Sequence, residues 1–406
     1  MRTRLLAAAL LVLAASGCKK ETPPAETPAP AAQPEAKPAV HGSAPVAAPA
    51  NQVDRGDAST PSRNGDSDRS CVGPIDTAVP KQVTVAGKKA ELNGYKLSFL
   101  DKDADDQAVF GVLSSINEDT GTNLFNLKRY VEWFKANKAE AIIVDGDTGD
   151  SESSIEHSLT VLAESGLPVF VLIGNHECKG DYNDAVLAVQ KKFDNVVDLG
   201  KVRYVDFDDA DLVSVPGYHD PQFVHCPNSP CIYTKGDVED LKKVALAAND
   251  PVILVAHGPP HGQTPNAIDA IEGGKNIGDP NLNSLVADGK IPFGVFGNVK
   301  EAGGRATDLT GENVIKENTP SPALYVGVGP ADSVPWSMND NTTSEGMAAL
   351  LTVKGKQASY QTFRAKKLTE AEKAEAQKMA AKYAPAAAAE ADKGEKPAPK
   401  DAAAAK

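Results

Sequence analysis

Positive charge is in short supply in this chain. Lysine and arginine total 42 against 55 aspartates and glutamates, a net charge of −13 over 406 residues. That balance argues against binding nucleic acid through its phosphate backbone, and no Lys/Arg stripe interleaves with aromatics to offset it. Cysteine is scarce too, at five residues, and the spacing fits none of the common zinc sites. The apolar run Leu5–Ala15 is too short to span a membrane. No internal repeat is present, so repeat architectures are excluded.

What is there begins with the two ends. Arg2 and Arg4 precede the apolar run, and Ser16-Gly17-Cys18 follows it. Residues 1–18 therefore read as a secretion signal. Small residues directly before a cysteine resemble a bacterial lipoprotein signal, which implies that Cys18 is lipidated and becomes the mature N-terminus. The globular part is then exported and tethered to the bilayer at the cell envelope, at the outer membrane where one exists. A soluble secreted protein with a chance cysteine is the other reading. Residues 19–70, rich in Pro, Ala, Glu and Ser, cannot bury a core and read as a tether. At the far end, 367–406 reads as a short helix and an Ala/Lys/Pro tail. Thr369 and Glu372 make a capping-box start for that helix. Its composition predicts a solvated appendage.

Export makes disulfides plausible among the four remaining cysteines. Cys226 and Cys231 are close enough in HCPNSPC to close a small loop, which leaves Cys71 and Cys178 as a second bridge. Spacing alone does not fix the pairing.

The ordered body divides into a short β extension at 71–106 and one domain at 107–366. Within that domain apolar strands alternate with helices, and a β-hairpin closes it, predicting an α/β layered fold with a mixed sheet. The stretch Ala141–Asp150 organises the rest: AIIV reads as a buried parallel strand that breaks into Asp145, Gly146, Asp147 and Asp150. Open α/β sheets place ligand sites at that edge. By itself the stretch is equally a surface Asp/Gly turn. Three further strands, however, run straight into a polar residue: Asn175, His257 and Asn298. Strands of shared orientation bring these four residues to one edge. A carboxylate, amides and an imidazole suit a divalent transition metal such as Mn, Fe or Zn.

In its strand-end motifs the chain resembles the calcineurin-like metallophosphoesterases over roughly Gln107–Arg364. The GDxxD motif stands as Gly146-Asp147-Thr148-Gly149-Asp150, GNHE as Gly174-Asn175-His176-Glu177, and the strand-end histidine as His257-Gly258-Pro259-Pro260. The resemblance implies a four-layer αββα sandwich of mixed β-sheets and a two-metal site at the strand ends. Two motifs depart from the pattern. The first, DxH in the family, is Ser115-Ile116-Asn117, and the last, GHxH, is Gly297-Asn298-Val299-Lys300.

The departures fall unevenly on the two metals. Of the ligands the family uses for one metal, only Asp147 remains, with Ser115, Asn117 and Lys300 in the other places. For the other metal Asp147, Asn175 and His257 remain, with Asn298 offering a weaker amide oxygen. The resemblance thus implies a single-metal phosphoesterase acting on phosphoester small molecules. Its catalytic residues would be His176, as proton donor oriented by Asp150, and Lys300. Asn175 and Lys300 would contact the substrate. The Lys300 ammonium would stand in for part of the lost ion's charge; the bland reading is a solvent-facing loop residue. The alternative function is a non-catalytic, metallophosphoesterase-like lipoprotein that binds a ligand or a protein. His219 and His261 are weaker candidates, and His225, His157 and His41 read as bland. Asp101, Asp103, Asp105 and Asp106 lack the DxDxDG pattern of a calcium loop and read as a solvated turn. The loops Ser214–Tyr233 and Gln263–Ala287, where substrate choice would be made, carry no legible pattern.

Overall fold

Short apolar runs bounded by turns produce most of the strands in the computed structural model, which describes residues 71–226 and 228–383. Cys18, the signal, the tether and the terminal tail lie outside the described residues. The chain opens with β1 (Lys81–Val85), β2 (Lys88–Asn93) and β3 (Lys96–Phe99), an antiparallel meander. Next come β4 (Gln107–Leu113), α1 (Gly121–Ala136), β5 (Ala141–Asp145), α2 (Glu152–Ala163), β6 (Val169–Leu172), α3 (Lys179–Gln190) and β7 (Val196–Asp198). The second half holds β8 (Tyr204–Asp206), β9 (Asp211–Val215), α4 (Lys235–Leu246), β10 (Val252–Ala256), α5 (Pro280–Gly289) and β11 (Phe293–Phe296). After these run β12 (Arg305–Thr307), β13 (Val314–Ile315), β14 (Leu324–Gly327), β15 (Trp336–Ser337) and β16 (Thr343–Ser344). The chain closes on the hairpin β17 (Met347–Lys354) and β18 (Gln357–Arg364), then α6 (Glu370–Tyr383).

Two mixed sheets form the centre. One has the order β18-β17-β4-β5-β6-β7, the other β1-β2-β3-β8-β9-β10-β11-β14-β12-β13. Their middle strands β4–β7 and β9-β10-β11-β14 are parallel. Parallel strands are covered on both faces, so their sequences are unbroken apolar runs, and β5, β6, β10 and β11 are buried throughout. Alternate residues then go to opposite faces. Phe110, Ile143, Phe170, Ile253, Val255 and Val326 build the core between the sheets. Val109, Ile142, Val144 and Val171 pack on the outer side, with residues of α1, α2 and α3. Val213, Leu254 and Ala256 pack under α4 and α5. The result is the four-layer αββα sandwich that the sequence implied.

The helices begin where their sequences place caps. Ser151 and Thr234 close capping boxes on α2 and α4, and Asp279 caps α5 with Pro280 in the first turn. Helix α5 falls where the sequence shows no pattern. It presents only Leu282, Leu285 and Val286 to the core, too short a stripe to stand out.

Two expectations are corrected here. The cysteines pair as Cys71–Cys231 and Cys178–Cys226, not as Cys226–Cys231. His225 N–H donates to the Asn175 carbonyl at 2.9 Å and Lys179 N–H to Ser229 at 3.0 Å, laying the loop along the start of α3 beside Cys178. Tyr218 N–H donates to the Cys231 carbonyl at 3.0 Å, which draws Cys231 back to the end of β9. Helix α6 is not a solvated appendage either. Ala376 is buried and Met379 and Tyr383 pack into the outer core. Gly121 makes this close approach feasible, since a Cβ there would lie 2.3 Å from the Ala376 carbonyl oxygen. Among the described residues no helix is long and apolar enough to cross a membrane.

Candidate metal centre

Parallel register brings the ends of β4, β5, β6, β10 and β11 to one edge, and the chain turns sharply at each. Ser115, Asn117, Asp147 and Asn298 all have positive φ, between 48° and 59°. Such left-handed backbone on non-glycine residues costs free energy and concentrates at functional sites. It is held in place here: Ile116 and Asn117 N–H groups both donate to the Asp147 carbonyl, at 2.8 and 2.9 Å.

Asp147 is the hub. Its Oδ1 accepts the backbone N–H groups of Asn175 and His176, at 3.1 and 3.0 Å. Gly174 must lack a side chain for this, because a Cβ would lie 2.3 Å from Oδ1. Glu177 binds the same two loops together, accepting Thr148 N–H at 2.5 Å and Gly174 N–H at 2.9 Å. Burial, and then the neighbouring Asp147, push the Glu177 carboxyl up to about 7.

His257 faces Asp147 from β10. Its Nδ1 donates to the Asp145 carbonyl at 2.7 Å, an oxygen that also accepts the Ser114 hydroxyl at 2.8 Å. That bond fixes the ring and turns Nε2 toward Asn175 Oδ1, 2.8 Å away. Asp147 Oδ2 lies 3.2 Å from Nε2, buried and without a hydrogen-bond donor of its own. Asn175 shows Oδ1 to the centre because its Nδ2 donates to the Phe223 carbonyl at 2.5 Å. Three lone-pair donors, a carboxylate oxygen, an amide oxygen and an imidazole nitrogen, therefore converge on one buried point, a donor set that fits a divalent transition metal. Burial works against charge on all of them. Even so, His257, His176 and Lys300 hold Asp147 well below the usual carboxylate range. Asp147 in turn raises His257 to about 9.

The remaining sequence candidates take different places. Asn298 stands one step back, its Nδ2 donating to the Tyr218 hydroxyl at 2.7 Å, and the Tyr218 ring lies edge-on to His257 with centroids 6.4 Å apart. His176 sits between two carboxylates, Nε2 at 3.8 Å from Asp147 and Nδ1 at 3.7 Å from Asp150. Burial opposes its charge, but Asp147 and then Asp150 raise its pKa above the ordinary histidine value. Lys300 is only partly exposed, with Nζ 4.3 Å from the centre of the Trp336 ring. Its charge is felt at Asp147, Asp332, His176 and His225. Asn117, where the family has a ligand, spends its Nδ2 on Asp332 Oδ2 at 2.6 Å. The other oxygen of Asp332 accepts the Trp336 indole N–H at 3.1 Å.

Sequence reasoning missed His225. Its ring stacks on His176 with centroids 3.7 Å apart and planes 20° apart. The one signal was its place directly before Cys226. His219 packs between Tyr218 and Tyr233, and His261 pairs with Asp269 at 3.5 Å. His157 bonds Asp119 at 2.6 Å. Away from this edge, Asp103, Asp105 and Asp209, and likewise Asp103, Glu140 and Asp208, bring carboxylate oxygens within 4.8 Å of one another. Asp103 and Asp105 each accept an N–H two residues on, at 2.8 and 2.9 Å, as expected of a solvated turn.

A search of the curated proteins finds no match. Similar solved structures include a dimetal phosphatase from Danio rerio, with 10% identity, covering 63% of this chain and 98% of that one, at a TM-score of 0.38. Phosphopantetheinyl hydrolase from Mycobacterium tuberculosis has 14% identity, coverage of 56% and 91%, and a TM-score of 0.38. GAP50, the anchor in the inner membrane complex of Plasmodium, has 14% identity, coverage of 69% and 96%, and a TM-score of 0.39. Residues 119–297 match the sequence model of the calcineurin-like phosphoesterases. The match begins just after Asn117 and stops at Gly297, so the departing residues Ser115, Asn117, Asn298 and Lys300 lie outside it. Residues 119–297 of this chain are similar to the calcineurin-like phosphoesterases, a family that implies divalent metal use and phosphoester substrates.

Proposed function

We propose that the protein is a phosphoester hydrolase that works with one divalent transition metal, Mn, Fe or Zn. The convergence of Asp147 Oδ2, Asn175 Oδ1 and His257 Nε2 supports this reading most directly. Those three atoms would hold the ion, and the Asn298 amide would serve as a weaker outer ligand. A bound divalent ion acidifies water and offsets charge on the phosphoryl oxygens. Lys300 supplies a second positive charge to the phosphoryl group from the side where the family keeps its other metal. Asn175, anchored through Nδ2, orients the substrate from the opposite loop. His176, whose charged form Asp147 and Asp150 favour against burial, donates a proton to the leaving oxygen.

The test is metal content of the purified chain, with turnover of aryl phosphate mono- and diesters. The expected result is one metal per chain and a rate that Asp147→Asn and His257→Ala abolish. Metal-free protein with no turnover under Mn, Fe, Zn or Ni would end the enzymatic reading. One observation favours a second reading, a non-catalytic binder of a phosphorylated ligand: Asn117 is spent on Asp332 and Lys300 rests on Trp336. That arrangement would bind an anion without a nucleophile.

We also propose export and lipid attachment through Cys18. The two disulfides in the described body support an oxidising compartment.

A further inference from the structure

His176 lies 3.7 and 3.8 Å from its two carboxylates, beyond the reach of directional hydrogen bonds, so neither fixes the angle of its ring. What lies against the ring is His225, nearly parallel at a centroid distance of 3.7 Å. His225 belongs to a loop that docks on the GNHE turn at several points. Phe223 accepts the Asn175 amide at 2.5 Å, and His225 N–H donates to the Asn175 carbonyl at 2.9 Å. The residue after His225 is Cys226 and the second residue after His176 is Cys178, and these two cysteines are bonded to each other. The covalent link therefore ties together the two backbone segments that carry the stacked imidazoles.

We propose that His225 is a positioning residue for His176, and that the Cys178–Cys226 disulfide holds it there, so that only the oxidised chain aims His176 at Asp147 and Asp150. The inference rests on the reading of His176 as proton donor. Flat ring against flat ring restricts the rotation of His176. The disulfide removes the freedom by which the His225 loop would otherwise leave. A phenylalanine at 225 preserves the flat face and removes both ring nitrogens, which separates stacking from hydrogen bonding or metal ligation.

The experiment uses the full chain and two readouts: NMR of the His176 ring protons, and kcat and KM on an aryl phosphate. In the native protein the His225 ring current places the His176 protons upfield. His225→Ala is expected to move them downfield and to lower kcat about tenfold with KM within about twofold. His225→Phe is expected to restore both. The Cys178→Ala/Cys226→Ala double variant is expected to behave as His225→Ala. Unmoved His176 resonances in His225→Ala, or a double variant with native resonances and native kcat, would overturn the proposal. The resonances decide for or against His225 without turnover, whereas absence of turnover in the native chain counts against the phosphoesterase reading.

Discussion

Lys300 is the residue whose role is most open to direct measurement. Its ammonium rests on the Trp336 ring at 4.3 Å and acts on Asp147 and Asp332. On the proposed function a phosphoryl group beside Asp147 would meet this charge, and charge-assisted contacts of that kind are worth about 1.5–3 kcal/mol. Lys300→Ala is therefore expected to weaken inorganic phosphate binding about tenfold or more by calorimetry; unchanged affinity would remove Lys300 from the site. Gly174→Ala places a Cβ 2.3 Å from Asp147 Oδ1. It is expected to lower metal affinity at least about tenfold in a chelator competition, with the fold retained by circular dichroism. Asp147, Asn175 and His257 were legible in the sequence because each ends an apolar run, and strand ends are where open sheets collect ligands. His225 was not legible. It reaches the site along a loop whose path depends on a disulfide that spacing does not reveal.

At the scale of the elements, the strands were legible and the peripheral contacts were not. Buried parallel strands announce themselves as unbroken apolar runs, whereas α6 docks with one buried alanine and two partly buried side chains. Deleting residues 367–406 removes this packing from α1. It is expected to lower the thermal midpoint by about 1–2 °C, roughly 1 kcal/mol in a chain of this size; an unchanged midpoint would show that α6 adds nothing. Glu140, just before β5, gives a pH signature. Burial pushes its carboxyl up to about 7, opposed by the Val109 N–H bond at 3.1 Å. Because this folded value exceeds the unfolded one of about 4.3, the folded chain holds the extra proton between those pH values, and stability falls as pH rises through that window. Glu140→Gln is expected to be more stable than the native chain at pH 8, with the gain gone at pH 4. Partial exposure screens the effect to about 1 kcal/mol. A gain that is the same at both pH values would contradict this account.

At the scale of the whole molecule, the strand-end edge has two differently lined halves. Asp147, Asn175, His257 and the Glu177 clasp are all in place. On the other half Asn117, Asp332, Trp336 and Lys300 form a self-contained cluster. That cluster was only partly legible. The departures at 115, 117 and 300 stood out in the sequence, but Asp332 and Trp336 come from a stretch far along the chain that carries no motif. The central claim is that this arrangement holds one metal and not two. Native mass spectrometry of the chain after saturation with Mn or Zn and desalting tests it most directly. The account predicts one ion per chain, lost in His257→Ala and retained in Lys300→Ala; two ions per chain, or none, would contradict it.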